Sequence, residues 1–115
     1  MKDKPTVYIV CEPVSFKENS AKMDLSPAAV FGDLEVLLTH TQSLFAPVPT
    51  VRKLREKLEG FCDDDYLLPV GDPVLMCTVA MVAGEKNHGR VKFLKWDRIQ
   101  RCYIVIQVDT SGAAQ

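Results

Sequence analysis

Apolar residues fall in short blocks along this chain, and the spacing inside each block separates strands from helices. Thr6 to Val10 is a continuous β-branched and apolar run that stops near Glu12-Pro13, where proline removes a ladder donor, so it predicts a first strand. Ser15 to Asp24 is polar and of mixed charge, the composition of a surface loop. Ser26-Pro27 before Ala28 to Phe31 and Gly32 has the cap, first-position proline and terminal glycine of one helical turn, and Leu34 to Leu38 reads as a second strand. Gln42 to Ala46 with Pro47 and Pro49 predicts an irregular connection.

The period then changes from two to that of a helix. Val51, Leu54, Leu58 and Phe61 make one buried stripe on a helix over Val51 to Glu59, capped by Thr50 and stopped by Gly60. Its outer face carries Arg52, Lys53, Arg55, Glu56 and Lys57, with Arg52 and Lys53 set against the macrodipole at the amino end. Tyr66 to Val70 is a third strand, and Pro69 argues against a central position for it in a fully paired ladder. Gly71 turns the chain, Asp72 caps and Pro73 opens a second helix. Between Val74 and Ala83 only Thr78 is polar, so this helix is expected to be covered on both sides. Asn87-His-Gly89 ends it, and Arg90 to Trp96 and Cys102 to Val108 form a hairpin around Asp97 to Arg101.

That order predicts a small single α/β domain over residues 1–115, with a mainly parallel sheet, two main helices and a C-terminal antiparallel β-hairpin. Residues 1–4 and 110–115 are expected to fray. Right-handed crossovers place the two helices on one face or on opposite faces according to the strand order.

Composition narrows the functional classes. A chain of 115 residues with 47% apolar and 25% charged residues is large enough for one core and is globular rather than disordered. The net charge of −1 gives no global attraction to nucleic acid or to an anionic membrane, so any such contact must arise from local charge. The amino end has no signal-peptide core, and the longest apolar stretch, Val74 to Ala83, is well short of the roughly 20 residues that span a bilayer. A cytoplasmic protein without membrane contact is the expectation. Cys11, Cys62, Cys77 and Cys102 stand singly, without zinc spacing or disulfide density, and read as buried free thiols.

Catalytic and ligand signals are weak by the same reading. Gly71-Asp72 lies after a strand and at a helix start, where open α/β sheets place ligands, and Cys11-Glu12 ends the first strand; these four residues make an alternative ligand site for a nucleotide binder or small enzyme. No glycine-rich phosphate loop is present, Asp72 would repel a phosphate, and an N-cap explains the pair. Asp63, Asp64 and Asp65 could offer oxygen ligands to a divalent cation, but consecutive carboxylates point in alternating directions, so a solvated acidic loop is expected and no metal site is assigned. His40 and His88 have no nucleophile in their sequence context. Neither an enzyme nor a cofactor is called for.

The hairpin stands above this background. Six basic residues against Glu85 and Asp97 give Gly84 to Val108 a local balance of +4. Lys92, Lys95, Arg98 and Arg101 interleave with Trp96 and Tyr103, a pattern that suits an acidic macromolecular surface, or equally an edge protected from aggregation. A protein partner fits better than nonspecific nucleic acid, because the acidic loop and overall charge weaken phosphate binding. The apolar helix 74–83 raises in addition a homodimer packed through that helix, and with it a structural or assembly subunit.

The segments Asp64-Asp-Tyr-Leu-Leu-Pro-Val-Gly-Asp-Pro73, Gly89-Arg90, Leu94-Lys-Trp-Asp-Arg98 with Tyr103, Tyr8-Ile-Val-Cys-Glu-Pro13 and Asp24-Leu-Ser-Pro27 together resemble small α/β proteins of unassigned function encoded in tailed-phage genomes. The resemblance spans most of Val7 to Val108. It implies a phage accessory protein acting in the host cell cytoplasm on a host or phage protein, and supplies neither a reaction nor a site.

Overall fold

The apolar runs become five strands: β1 (Thr6–Cys11), β2 (Asp33–Leu38), β3 (Tyr66–Leu68), β4 (Arg90–Asp97) and β5 (Cys102–Asp109). Two helices, α1 (Pro47–Lys57) and α2 (Pro73–Lys86), and a 3-10 turn at Ser26–Val30 complete the chain. The computed structural model describes residues 4–11, 25–38 and 47–112; the expected loop Ser15 to Asp24, the connection Gln42 to Ala46, Glu12, His40 and residues 1–3 and 113–115 lie outside the described residues.

The sheet has the order β2-β1-β3-β4-β5, which the sequence left open, and is parallel from β2 to β4 and antiparallel at β5, as expected of a mainly parallel sheet with a C-terminal hairpin. The chain steps from β1 to β2 in one direction, crosses back over β1 to β3, and continues to β4. With right-handed crossovers, the first connection must cover one face and the next two the other. Accordingly, α1 and α2 lie side by side over Tyr8, Val10, Leu67 and Val91, bridged by Arg55 Nε to Glu85 Oε1 at 3.3 Å. The 3-10 turn covers Val7, Ile9, Leu68 and Leu94 on the opposite face through Ala28 and Phe31.

Several local expectations change. Helix α1 starts at Pro47 rather than after Thr50, because prolines in a first turn lack only N–H groups that have no helical partner there. Thr50 is buried inside the helix, and Arg52 and Lys53 sit past its first turn, so they no longer oppose the dipole while Arg55 and Lys57 in the last turn favour it. The predicted stripe holds, with Leu54, Leu58 and Phe61 buried. The 3-10 turn is preceded by Leu25 and has no side-chain cap, so Ser26 is its first residue and not its cap.

Strand β3 is central despite Pro69, and it is only three residues long, so the proline falls beyond the ladder it would interrupt. At α2 the reading from sequence holds: the Asp72 carboxylate accepts from Val74 N at 2.9 Å and Leu75 N at 3.2 Å. The helix continues past Ala83 to Lys86 and ends on two left-handed residues, His88 and Gly89, with Gly89 N donating to Gly84 O at 2.8 Å. It is not covered on both sides: Val74 and Met81 are 68% and 71% exposed, and Cys77 is exposed with them. Of the four thiols only Cys11 is buried, since Cys62 and Cys102 are half-buried.

Candidate functional site

Three places draw the sequence-predicted residues together, and they differ in how much of their polar chemistry is already used. The first is the carboxyl end of β1 and β3, where the connections leave in opposite directions and open α/β sheets hold ligands. Cys11 and Gly71 meet there. Gly71 has φ 109°, and a Cβ on it would lie 2.6 Å from the Cys11 Cβ, so glycine is needed for both backbone shape and space. Asp72 follows, but its carboxylate caps the α2 N–H groups that a phosphate would use. Glu12, the fourth member, lies outside the described residues.

The second place is the acidic loop, which the structure divides. Asp65 is fully buried rather than solvated: its carboxylate accepts from Thr6 N at 2.9 Å, from Cys62 N at 3.0 Å and from Cys62 Sγ at 3.5 Å. It thereby ties the start of β1 to the turn that enters β3. Asp63 pairs instead with Arg90, at 3.0 Å to Nε, and takes the Asn87 amide at 2.8 Å. The hydrogen bond from Arg90, followed by that from Asn87, holds the Asp63 carboxyl below the usual carboxylate range, and Asp63 raises Arg90 in turn. Asp64 is exposed, as is the paired Asp63, so the expected solvated loop holds for two of the three acids. Among the described residues no cluster of His, Cys, Asp or Glu could hold a metal ion.

The third place is the hairpin. The register sets Trp96 opposite Tyr103 and Lys95 opposite Ile104, so alternation sends Lys92, Trp96 and Tyr103 to the face of the 3-10 turn and Lys95 to the face of the helices. Tyr103 is buried and meets Trp96 edge-on, ring centroids 5.0 Å apart. The Lys92 ammonium sits over the Tyr66 ring, 4.4 Å from its centroid, which is the geometry of a cation–π contact. These two residues therefore belong to the platform. Lys95, Arg98 and Arg101 are exposed, and Trp96 remains 39% exposed above Tyr103.

The tip is shaped by Asp97, whose Oδ1 accepts from Ile99 N at 2.9 Å and Gln100 N at 3.4 Å, and by Arg101, which closes the loop in the left-handed region at φ 57°. Ile99, between Arg98 and Arg101, is a 91% exposed aliphatic residue that the charge pattern passed over. Its signal in the sequence is an aliphatic residue inside a four-residue turn, where polar residues are the rule. A cleft of about 360 Å³ opens beside the tip, lined by Pro69, Val70, Lys95 and Trp96 among others. A larger groove of about 630 Å³ runs between α2 and β4–β5, with Ala80, Met81, Phe93 and Val108 in its wall.

No helix among the described residues is long and apolar enough to cross a membrane. The family model of the phage Pam3 gp32-like protein matches residues 5–110. No curated protein and no solved structure matches the chain.

Proposed function

This chain belongs to the phage Pam3 gp32-like family, and from that premise we propose that it is a non-enzymatic accessory protein which binds an acidic surface of a host or phage protein through the tip of its β4–β5 hairpin. The supporting observation is the exposed set Lys95 and Trp96, on opposite faces at the end of β4, with Arg98, Ile99 and Arg101 in the turn that follows, three cations and two apolar side chains at one end of the sheet. Lys95, Arg98 and Arg101 supply charge-assisted bonds, and Trp96 and Ile99 supply the desolvated area that anchors an interface. Lys92 and Tyr103 fix the platform beneath them. The site of action is the host cytoplasm.

The test is capture from host and infected-cell lysates with the wild-type protein and with a folded Lys95→Glu, Arg98→Glu, Arg101→Glu variant. A partner retained by the first and lost by the second supports the reading. Equal recovery by both removes the tip from the function.

The exposed stripe of Val74, Cys77 and Met81 favours a second reading, an assembly subunit that packs through α2. Met81→Glu would abolish that packing and leave tip-dependent capture unchanged.

A further inference from the structure

The two edges of the sheet are built differently. β2 is six residues long and carries Asp33 and Glu35, with Asp33 paired to Lys4 at 3.1 Å. Charge on a short edge is a standard guard against pairing with another chain. β5, at the opposite edge, is eight residues long and has no charge, proline or glycine from Cys102 to Val108. Val105, Ile106 and Val108 on it are 41%, 40% and 40% exposed. Charges stand only at its ends, Arg101 just before it and Asp109 at its last position.

The direction of its backbone groups can be read from the register. Thr110 N donates to Gly89 O at 2.8 Å, one step beyond the pair Arg90 and Asp109. Hydrogen-bonded pairs alternate along an antiparallel ladder, so Val108 and Ile106 bond toward β4 while the groups of Val105, Gln107 and Asp109 turn to the open edge. A second β5 added antiparallel about a two-fold axis at Val105 satisfies this phase. Val105 then lies opposite its own copy, Ile104 opposite Ile106 and Cys102 opposite Val108, and the turn residue Arg101, just before the strand, comes beside Asp109 at both ends. Moving the axis to Ile104 or Ile106 sets Asp109 against Ile99 or Tyr103 and removes both ion pairs.

We infer that the β5 edge is a self-association surface, at which two copies of this chain join into one continuous sheet with reciprocal Arg101–Asp109 pairs. The seven uncharged residues between those charges make the centre of the seam apolar, and the charges at its ends fix register. Ser111 meets Asp109 at Oδ1, through its N–H and its hydroxyl, and a guanidinium would approach at Oδ2. On the helix face, Ile104 and Ile106 of the two copies come side by side and extend the apolar floor of the groove under α2. This seam goes beyond the tip contact, with which it shares Arg101 alone while Lys95, Trp96, Arg98 and Ile99 take no part in it, and it differs from packing through α2.

Light scattering over a rising concentration series tests it with the intact protein. The wild type should pass from 12.8 kDa to twice that mass. Arg101→Glu and Asp109→Lys should each stay at single-chain mass where the wild type has doubled, because each sets like charges at both ends. An equimolar mixture of the two should recover the doubled mass: the new acid of one faces the new lysine of the other, and the native Arg101 and Asp109 face each other at the far end. Val105→Pro, which removes only an outward N–H and leaves the β4 ladder intact, should also stay single. A wild type of single-chain mass throughout, a doubled mass unchanged by Val105→Pro and both charge variants, or a mixture no heavier than its components would each overturn the inference.

Discussion

The β1–β3 half of the sheet and the β4–β5 half are made of similar apolar strands, yet they treat their polar groups in opposite ways. In the first, every residue of β1 is buried, both helices cover one face, and a buried carboxylate stands in for the ladder where β1 begins. In the second, the outer strand keeps only Tyr103 buried, its outer edge pairs with no strand among the described residues, and its turn exposes Arg98, Ile99 and Arg101. Stability resides in the half whose hydrogen bonds close on themselves, and the proposed contact falls in the half whose edge and charges face outward.

The largest effect is expected at Asp65. Asp65→Ala removes the acceptor shared by Thr6 N and Cys62 N and leaves both donors unmatched in the interior, a loss of about 3 kcal/mol. Urea unfolding should show the midpoint falling with an unchanged slope. A loss under about 1 kcal/mol would mean that the closed half is held by its apolar contacts alone.

Arg101→Gly probes the open half with the opposite sign. Arg101 sits at φ 57°, where a Cβ is strained, so glycine should stabilise the monomer by about 1 kcal/mol while removing a contact cation. A gain in melting temperature together with weaker capture would show stability and contact set against each other at one residue. Thermal unfolding at low protein concentration is the appropriate measurement, since association would mask the gain.

The smallest effect lies where the halves meet, at Asp63 and Arg90. Arg90 and then Asn87 depress the Asp63 carboxyl, so its folded value lies below its unfolded one. A group shifted in this direction contributes stability that is fully present above its unfolded value near ~3.9 and is lost as pH falls through the folded value. Asp63→Asn should therefore flatten the acid limb of the stability profile below about pH 4 and change little at neutral pH, the pair being largely exposed.

Much of this fold is legible in the sequence because its signals are local. The Asp72-Pro73 cap, the Leu54, Leu58, Phe61 stripe and the hairpin alternation each depend on residues within a few positions of one another. What failed depends on neighbours brought from afar or on chemistry with two meanings. Asp63, Asp64 and Asp65 are identical in composition, and only the placement of β1 beside β3 selects Asp65 to meet Thr6. Pro47 and Pro49 signal a break inside a helix and a start at its first turn, and α1 uses the second meaning. The candidate site was legible as a cluster of charge and aromatics, but not its division into platform and tip, which needs the Lys92 contact with Tyr66 and the burial of Tyr103. Arg101 closing a turn without glycine left no local signal at all.

Residue-resolved hydrogen exchange, run on the wild-type protein dilute and concentrated, tests the division most directly. The Thr6 and Cys62 amides should exchange slowly at both concentrations, and the Val105 and Gln107 amides rapidly when dilute and more slowly when the protein is concentrated. Val105 and Gln107 amides that exchange equally fast at both concentrations, or a Thr6 amide no better protected than they are, would contradict it.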